Sequence, residues 1–214
     1  MRLLLINPNT NQATTATMQR IAQAAAPAGV VIEAATVTHG AALLTNEALL
    51  AMGAVATEAL VASTDLSPYA GIIIAAFGDP GLDACRALAP IPVTGIAEAA
   101  MEEAAAFGRF AIATTTTDLV EAIARRLIAY GHADRFAGTW LTPGDAAALM
   151  ADPARLEAVL GQVVAEGIAA SAPDAVIIGG GPLAAVAERL RPRFTVPLVE
   201  PVPAAVRLAV SRAR

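Results

Sequence analysis

Four short segments hold the residues best suited to chemistry. Asn7-Pro8-Asn9-Thr10 and the run Thr114, Thr115, Thr116, Thr117 offer side-chain amides and hydroxyls. Ala76-Phe77-Gly78-Asp79-Pro80-Gly81 and Gly179-Gly180-Gly181-Pro182 offer backbone N–H groups where apolar strands give way to helices. Such N–H groups at a helix start suit a carboxylate, or an oxyanion that develops during a reaction. Singly, each segment is made of the Gly, Pro, Asn and Thr that turns and caps use anyway. Together, at four strand ends and in two matched pairs, they predict a cleft around a small, polar, oxygen-rich ligand. Two carboxylates stand close by. Asp79 lies inside one segment, as a base or as the cap of the helix that starts at Pro80-Gly81. Glu200 follows the last strand and reaches toward the same cleft.

The remaining reactive residues are few. Cys85 shares helical spacing with Leu82 and Leu88, which makes it a buried structural thiol rather than a nucleophile. His39 precedes Gly40 in a loop, and His132 follows Tyr130-Gly131 as a cap at a helix end. One cysteine and two histidines leave no disulfide, no two-cysteine relay and no Cys/His zinc site. All 14 basic residues are arginine, so a lysine Schiff base and a lysine-bearing phosphate loop are both excluded. With 19 acidic residues the net charge is −5, which leaves no basic stripe for a nucleic-acid backbone.

What must position these loops is legible in the apolar pattern. The chain is 56% hydrophobic and 15% charged over 214 residues, enough for one substantial core or two linked ones. Short β-rich runs alternate with longer Ala/Leu segments of helical period. Leu3 to Ile6, Val30 to Ile32, Ile72 to Ile74 and Ile91 to Val93 read as strands. Helices follow to about Ala26, from Asn46 to about Ser63, from Gly81 to Leu88, and from Ile96 to Phe107. Strands that are apolar throughout predict parallel sheets covered on both faces. The apolar run after Met1-Arg2 is too short for a secretory signal, and no window is long enough for a bilayer span. The expectation is a soluble, cytoplasmic protein that engages neither membrane nor nucleic acid.

The pattern then repeats. Phe110 to Ala113 followed by four threonines mirrors Leu3 to Ile6 followed by Asn7 to Thr10. Val176-Ile177-Ile178-Gly179-Gly180 mirrors Ile72-Ile73-Ile74-Ala75-Ala76, and Val196-Pro197-Leu198 mirrors Ile91-Pro92-Val93. The offsets are 107, 104 and 105 residues (3 to 110, 72 to 176, 91 to 196). Three ordered matches at nearly one offset predict a duplication. The expected fold is α/β: two pseudo-symmetric Rossmann-like domains, each a four-stranded parallel sheet flanked by helices. Residues 1–96 with 201–214 would form the first and 97–200 the second, the last helix (Pro203 to Arg212) crossing back.

Three segments in order sharpen this reading: Ile6-Asn7-Pro8-Asn9-Thr10, Phe77-Gly78-Asp79-Pro80-Gly81-Leu82-Asp83 and Gly95-Ile96-Ala97-Glu98-Ala99. Jointly they resemble the hydantoin racemase branch of the aspartate/glutamate racemase superfamily. The resemblance implies two α/β domains in pseudo-twofold relation, a site between them, no cofactor and a homo-oligomer. Relatives of that branch include allantoin and amino-acid racemases, maleate isomerases and arylmalonate decarboxylases.

Racemases of this family use two cysteines on opposite faces of the substrate carbon, one removing the α-proton while the other returns one. The resemblance puts these positions at Ala76 and Gly180, so both thiols are replaced. Proton transfer would then fall to Asp79 or Glu200. The substrate would be held by Asn7, Asn9, Thr10, Phe77, Gly78, Thr114 to Thr117, Gly181 and Pro182. The expected function is cofactor-independent racemase-like chemistry at an activated carbon of a small carboxylate or cyclic amide. A decarboxylase or lyase using the same oxyanion pocket, and a non-catalytic small-ligand binder, are the alternatives.

Overall fold

A computed structural model describes residues 1–214, apart from the side chains of Pro182 and Ala184. The chain forms two four-stranded sheets, every strand pair in them parallel. In order, the first part comprises β1 (Arg2–Asn7), α1 (Gln12–Ala25), β2 (Val31–Thr36), α2 (Glu47–Ser63), β3 (Gly71–Ile74), α3 (Leu82–Leu88) and β4 (Val93–Gly95). After α4 (Ile96–Phe107) come β5 (Phe110–Thr114), α5 (Val120–Ala129), β6 (Phe136–Leu141), α6 (Ala146–Met150), α7 (Pro153–Ser171), β7 (Ala175–Ile178), α8 (Ala184–Leu190), β8 (Leu198–Val199) and α9 (Pro201–Arg212). The strand orders are β2-β1-β3-β4 and β6-β5-β7-β8, one plan used twice.

The local chemistry accounts for the elements. Leu3, Leu5 and Ile6 of β1 are fully buried, as a central parallel strand with helices on both faces requires. Asn11 and Asn46 cap α1 and α2, their side-chain oxygens accepting from Thr14 N and Leu49 N. The edge strands β4 and β8 start about two residues later than the apolar runs suggest. Pro92 and Pro197 have no N–H to give, and contribute only carbonyls, which accept from Ile72 N and Val176 N. Helix α9 starts two residues earlier than expected, because Pro201 and Pro203 both fit a first turn.

The largest core lies between the sheets. Leu3, Leu5 and Ile73 of one sheet and Phe110, Ile112 and Ile177 of the other belong to one cluster, joined by the alanine-rich faces of α4 and α9. Alanine lets these two helices pack closely against each other and against both halves. Helix α9 lies on α1, β3 and β4, whereas α4 runs across to β5, β7 and β8. Smaller cores sit outside each sheet: Leu4, Ile74, Leu82 and Cys85 in one, Leu160, Val164, Ile178 and Leu190 in the other. With its sheets fixed back to back through helices, the molecule holds the loops after β1 and β3 facing those after β5 and β7.

Candidate active site

A cavity of about 60 Å³ lies where those loops meet. Its first wall is Ala75, Ala76 and Phe77 after β3, with Asn9 after β1. Its second is Gly179, Gly180 and Gly181 after β7, with Thr115 and Thr116 after β5. Leu43, Leu44, Leu119, Met150 and Leu183 close the apolar side. Ala76 and Gly180 thus line one cavity from opposite halves. Among the described residues, no titratable side chain lines it.

The polar groups are fixed by their neighbours. Asn7 is fully buried, and its Nδ2 donates to Asn9 Oδ1 at 2.9 Å and Thr15 Oγ1 at 2.9 Å. Asn11 N also donates to Asn9 Oδ1, at 2.9 Å. These two bonds fix the orientation of the Asn9 amide. Its Nδ2 remains a donor without a protein acceptor among the described residues. Thr114 Oγ1 donates to Gly179 O at 2.7 Å, tying the β5 loop to the β7 loop. Thr115 Oγ1 has no protein partner among the described residues, nor do the amides of Ala76 and Phe77.

The glycine triplet differs from a simple N–H nest. Gly179 N and Gly180 N already donate to Ala113 O and Ile178 O. Space explains the outer glycines instead. A Cβ on Gly179 would sit 3.0 Å from Ile112 Cγ2 and 3.1 Å from the Phe77 ring, and one on Gly181 would sit 2.6 Å from Met18 Sδ. Phe77 and Met18 belong to the first half, so the outer glycines admit side chains from across the cleft.

Several residues singled out from the sequence stand off the cavity. Asp79 is fully buried and caps α4: Ala97 N donates to its Oδ1 at 2.9 Å and Glu98 N to its Oδ2 at 2.7 Å. Tyr130 Oη donates to the same Oδ2 at 2.7 Å. Burial pushes the Asp79 carboxyl up to about 6, against the pull of Ala97, Tyr130, Glu98 and Arg126. Asp79 is therefore a cap, though for a different helix from the one following it, and it is not among the residues that line the cavity. Glu200 is buried and ion-paired with Arg191. Asn7 supports Asn9, Thr10 N bonds Ala41 O, Thr117 is exposed, and Gly78 uses its carbonyl to accept from Arg126. The side chain of Pro182 lies outside the described residues.

Other groups are likewise remote. Cys85 is fully buried in the outer core, where burial and the charge of Glu58 push its thiol up to about 11. His39 borders a separate surface groove with Met52 and Val55. Among the described residues, no cluster of His, Cys, Asp and Glu could hold a metal ion, and no helix is long and apolar enough to cross a membrane. Sequence reasoning missed the apolar side of the cavity, since Leu43 and Leu44 sit in an irregular loop and Met150 on a five-residue helix. It missed Arg126 and Tyr130 too: they share the stripe that carries the buried Ala122, Ile123 and Leu127, and their partners in the Gly78-Asp79 loop lie 47 to 51 residues away.

The Asp/Glu/hydantoin racemase family matches residues 3–209. The hydantoin racemase of Paenarthrobacter aurescens is 30% identical, with 99% of this chain and 90% of that protein covered. Allantoin racemase from Klebsiella pneumoniae superposes with a TM-score of 0.93 at 31% identity, covering 99% of this chain and 86% of that one. Allantoin racemase from Pseudomonas fluorescens gives a TM-score of 0.93 at 29% identity, over 99% and 90% of the two chains.

Proposed function

Given that the chain belongs to the Asp/Glu/hydantoin racemase family, we propose that it binds a small cyclic amide, of the hydantoin or allantoin kind, between its two halves. The observation that carries the reading is the cavity wall itself. Ala76 and Gly180 face one space, and among the described residues no titratable side chain joins them there. Racemisation requires one group to remove a proton and another to return one from the opposite face. This wall offers neither, but it offers what a planar amide needs: the Asn9 amide, the Thr115 and Thr116 hydroxyls and backbone N–H groups. A cyclic amide is favoured over a carboxylate because, among the described residues, no cation lines the cavity to pair with a charge.

The cavity is smaller than the roughly 150 Å³ that accommodates a benzene-sized guest. A ring ligand therefore displaces the apolar side, where Leu43, Leu44 and Met150 can turn. By the family resemblance we further expect a cytoplasmic homo-oligomer. A second reading, slow proton exchange at an activated carbon, is favoured by the room for water, since one molecule needs only about 10–15 Å³. Incubating 5-substituted hydantoins with the protein in deuterium oxide, with binding followed by calorimetry, separates the two. Binding without label at the substituted carbon is expected. Label accumulating faster than in buffer would replace the binding reading with the second one.

A further inference from the structure

The loop that forms the first wall is fastened largely by the other half of the molecule. Arg126 of α5 donates from Nε to Gly78 O at 2.9 Å and from Nη2 to Asp79 O at 3.0 Å. Tyr130, the residue that caps the C-terminal end of α5, donates to the Asp79 carboxylate at 2.7 Å. The guanidinium is itself steadied, with its carbon 5.9 Å from the centre of the Tyr130 ring and Nη1 3.4 Å from the exposed Asp83 carboxylate. Asp79 has φ of 50°, in the left-handed region that few non-glycine residues other than Asn and Asp adopt.

Helix α5 is also the continuation of the second wall. Thr115 and Thr116 lead through the turn Thr117–Leu119 directly into it, and Leu119 lines the cavity. One helix thus carries part of the second wall at its start and grips the first wall further along. We propose that Arg126 and Tyr130 are positioning residues that set the spacing between Ala76 and Gly180, and so the width of the ligand cavity. Neither side chain lines the cavity, so each acts through the loop it holds. The inference rests on the cavity being the ligand site, but its geometry can be measured without ligand.

The ruler is a pair of introduced thiols. The triple variant Cys85→Ala, Ala76→Cys, Gly180→Cys is treated with a short and a long bifunctional thiol reagent, and the rate of the second, intramolecular step is recorded. That rate follows the effective concentration of one thiol near the other. Adding Tyr130→Phe, which deletes one hydroxyl and keeps the ring, should slow the short cross-link about tenfold and leave the long one unchanged. Arg126→Met should slow it further, and Arg126→Lys should recover part of the loss. Unchanged short cross-linking in folded Tyr130→Phe and Arg126→Met proteins would overturn the proposal. Absence of any cross-link before these changes would overturn it too, because the two walls would not face each other. Loss of hydantoin binding with unchanged cross-linking would instead count against the cavity as the ligand site and against the clamp as its control.

Discussion

The two walls of the cavity occupy equivalent places in a duplicated plan, yet they are held by different forces. The wall after β3 is fastened by directional bonds: Asp79 to the start of α4 and to Tyr130, Arg126 to two carbonyls. The wall after β7 is glycine, seated by the packing of Phe77 and Met18 and by one hydroxyl bond from Thr114. The strand order common to both sheets fixes where the walls stand. It does not fix what holds them. The first wall should therefore respond to loss of polar partners and to pH, and the second to added volume.

The largest effect is expected from Asp79→Ala. It leaves two amides at the start of α4 and the Tyr130 hydroxyl without their acceptor in a fully buried site, at a cost of about 3–4 kcal/mol. Urea denaturation at pH 8 measures it. Asp79→Asn retains an acceptor oxygen and should cost about half as much. A loss below ~1 kcal/mol for the alanine variant would mean the first wall does not depend on this bond set.

The same carboxylate sets a pH dependence. Its folded pKa, about 6, lies above its ordinary 3.8. The part of its stability that is linked to protonation is therefore fully present below 3.8 and is lost as pH rises through 6, whereas the hydrogen bonds its oxygens accept are still there to be measured at pH 8. The span corresponds to at most about 3 kcal/mol, and roughly 2 is a fair expectation. Glu98, on the other side of the same helix start, runs the opposite way. Burial works to raise its carboxyl, but hydrogen bonds from Arg212 and Arg86 outweigh this and hold it below 4.5. Its contribution is present above 4.5 and is lost as pH falls through the lower folded value. Between pH 4.5 and 6 the parent should lose stability with rising pH, and Asp79→Asn should not. A parallel slope in both proteins would remove Asp79 as its source.

Added volume should reverse the contrast. Gly179→Ala places a methyl group 3.0 Å from Ile112 Cγ2 and 3.1 Å from the Phe77 ring. Both neighbours are buried, so the expected loss is about 1–2 kcal/mol, seen in the same denaturation curves and independent of pH. A neutral result would show that the second wall has slack and is not seated by packing.

Much of this architecture was legible in the sequence because burial leaves a periodic trace. Leu3 to Ile6 and Phe110 to Ala113 read as strands since both faces are covered, and their spacing pointed to a strand order used twice. The facing of Asn9, Ala76, Thr115 and Gly180 followed from parallel topology, which puts those loops at one end of each sheet. The role of Asp79 did not follow. Its bonds run to Ala97, Glu98 and Tyr130, up to 51 residues away, and no local pattern encodes them. The glycine triplet was read as an N–H cradle because sequence shows composition, whereas two of the three glycines answer to side chains from the other half.

The smallest effect is expected at Gly180, and it separates this residue from its neighbours. Its φ lies outside the left-handed region, so an L side chain meets no backbone strain there. The three atoms nearest a Cβ there all belong to Leu183, with Cγ and Cδ1 at 3.1 Å, and that side chain borders the cavity and can yield by a few tenths of an ångström. Gly180→Ala should therefore cost less than about 0.5 kcal/mol, against the larger losses at Gly179. Gly180→Cys should be tolerated almost as well, with its sulfur directed into the cavity opposite Ala76. The position at which a side chain fits is then the one that the family resemblance marks for a thiol, while the glycines on either side are retained for packing. Denaturation curves of Gly179→Ala, Gly180→Ala and Gly181→Ala test this order directly. Equal losses at all three would make the triplet one structural unit and would leave Gly180 no separate standing as a vacated thiol position.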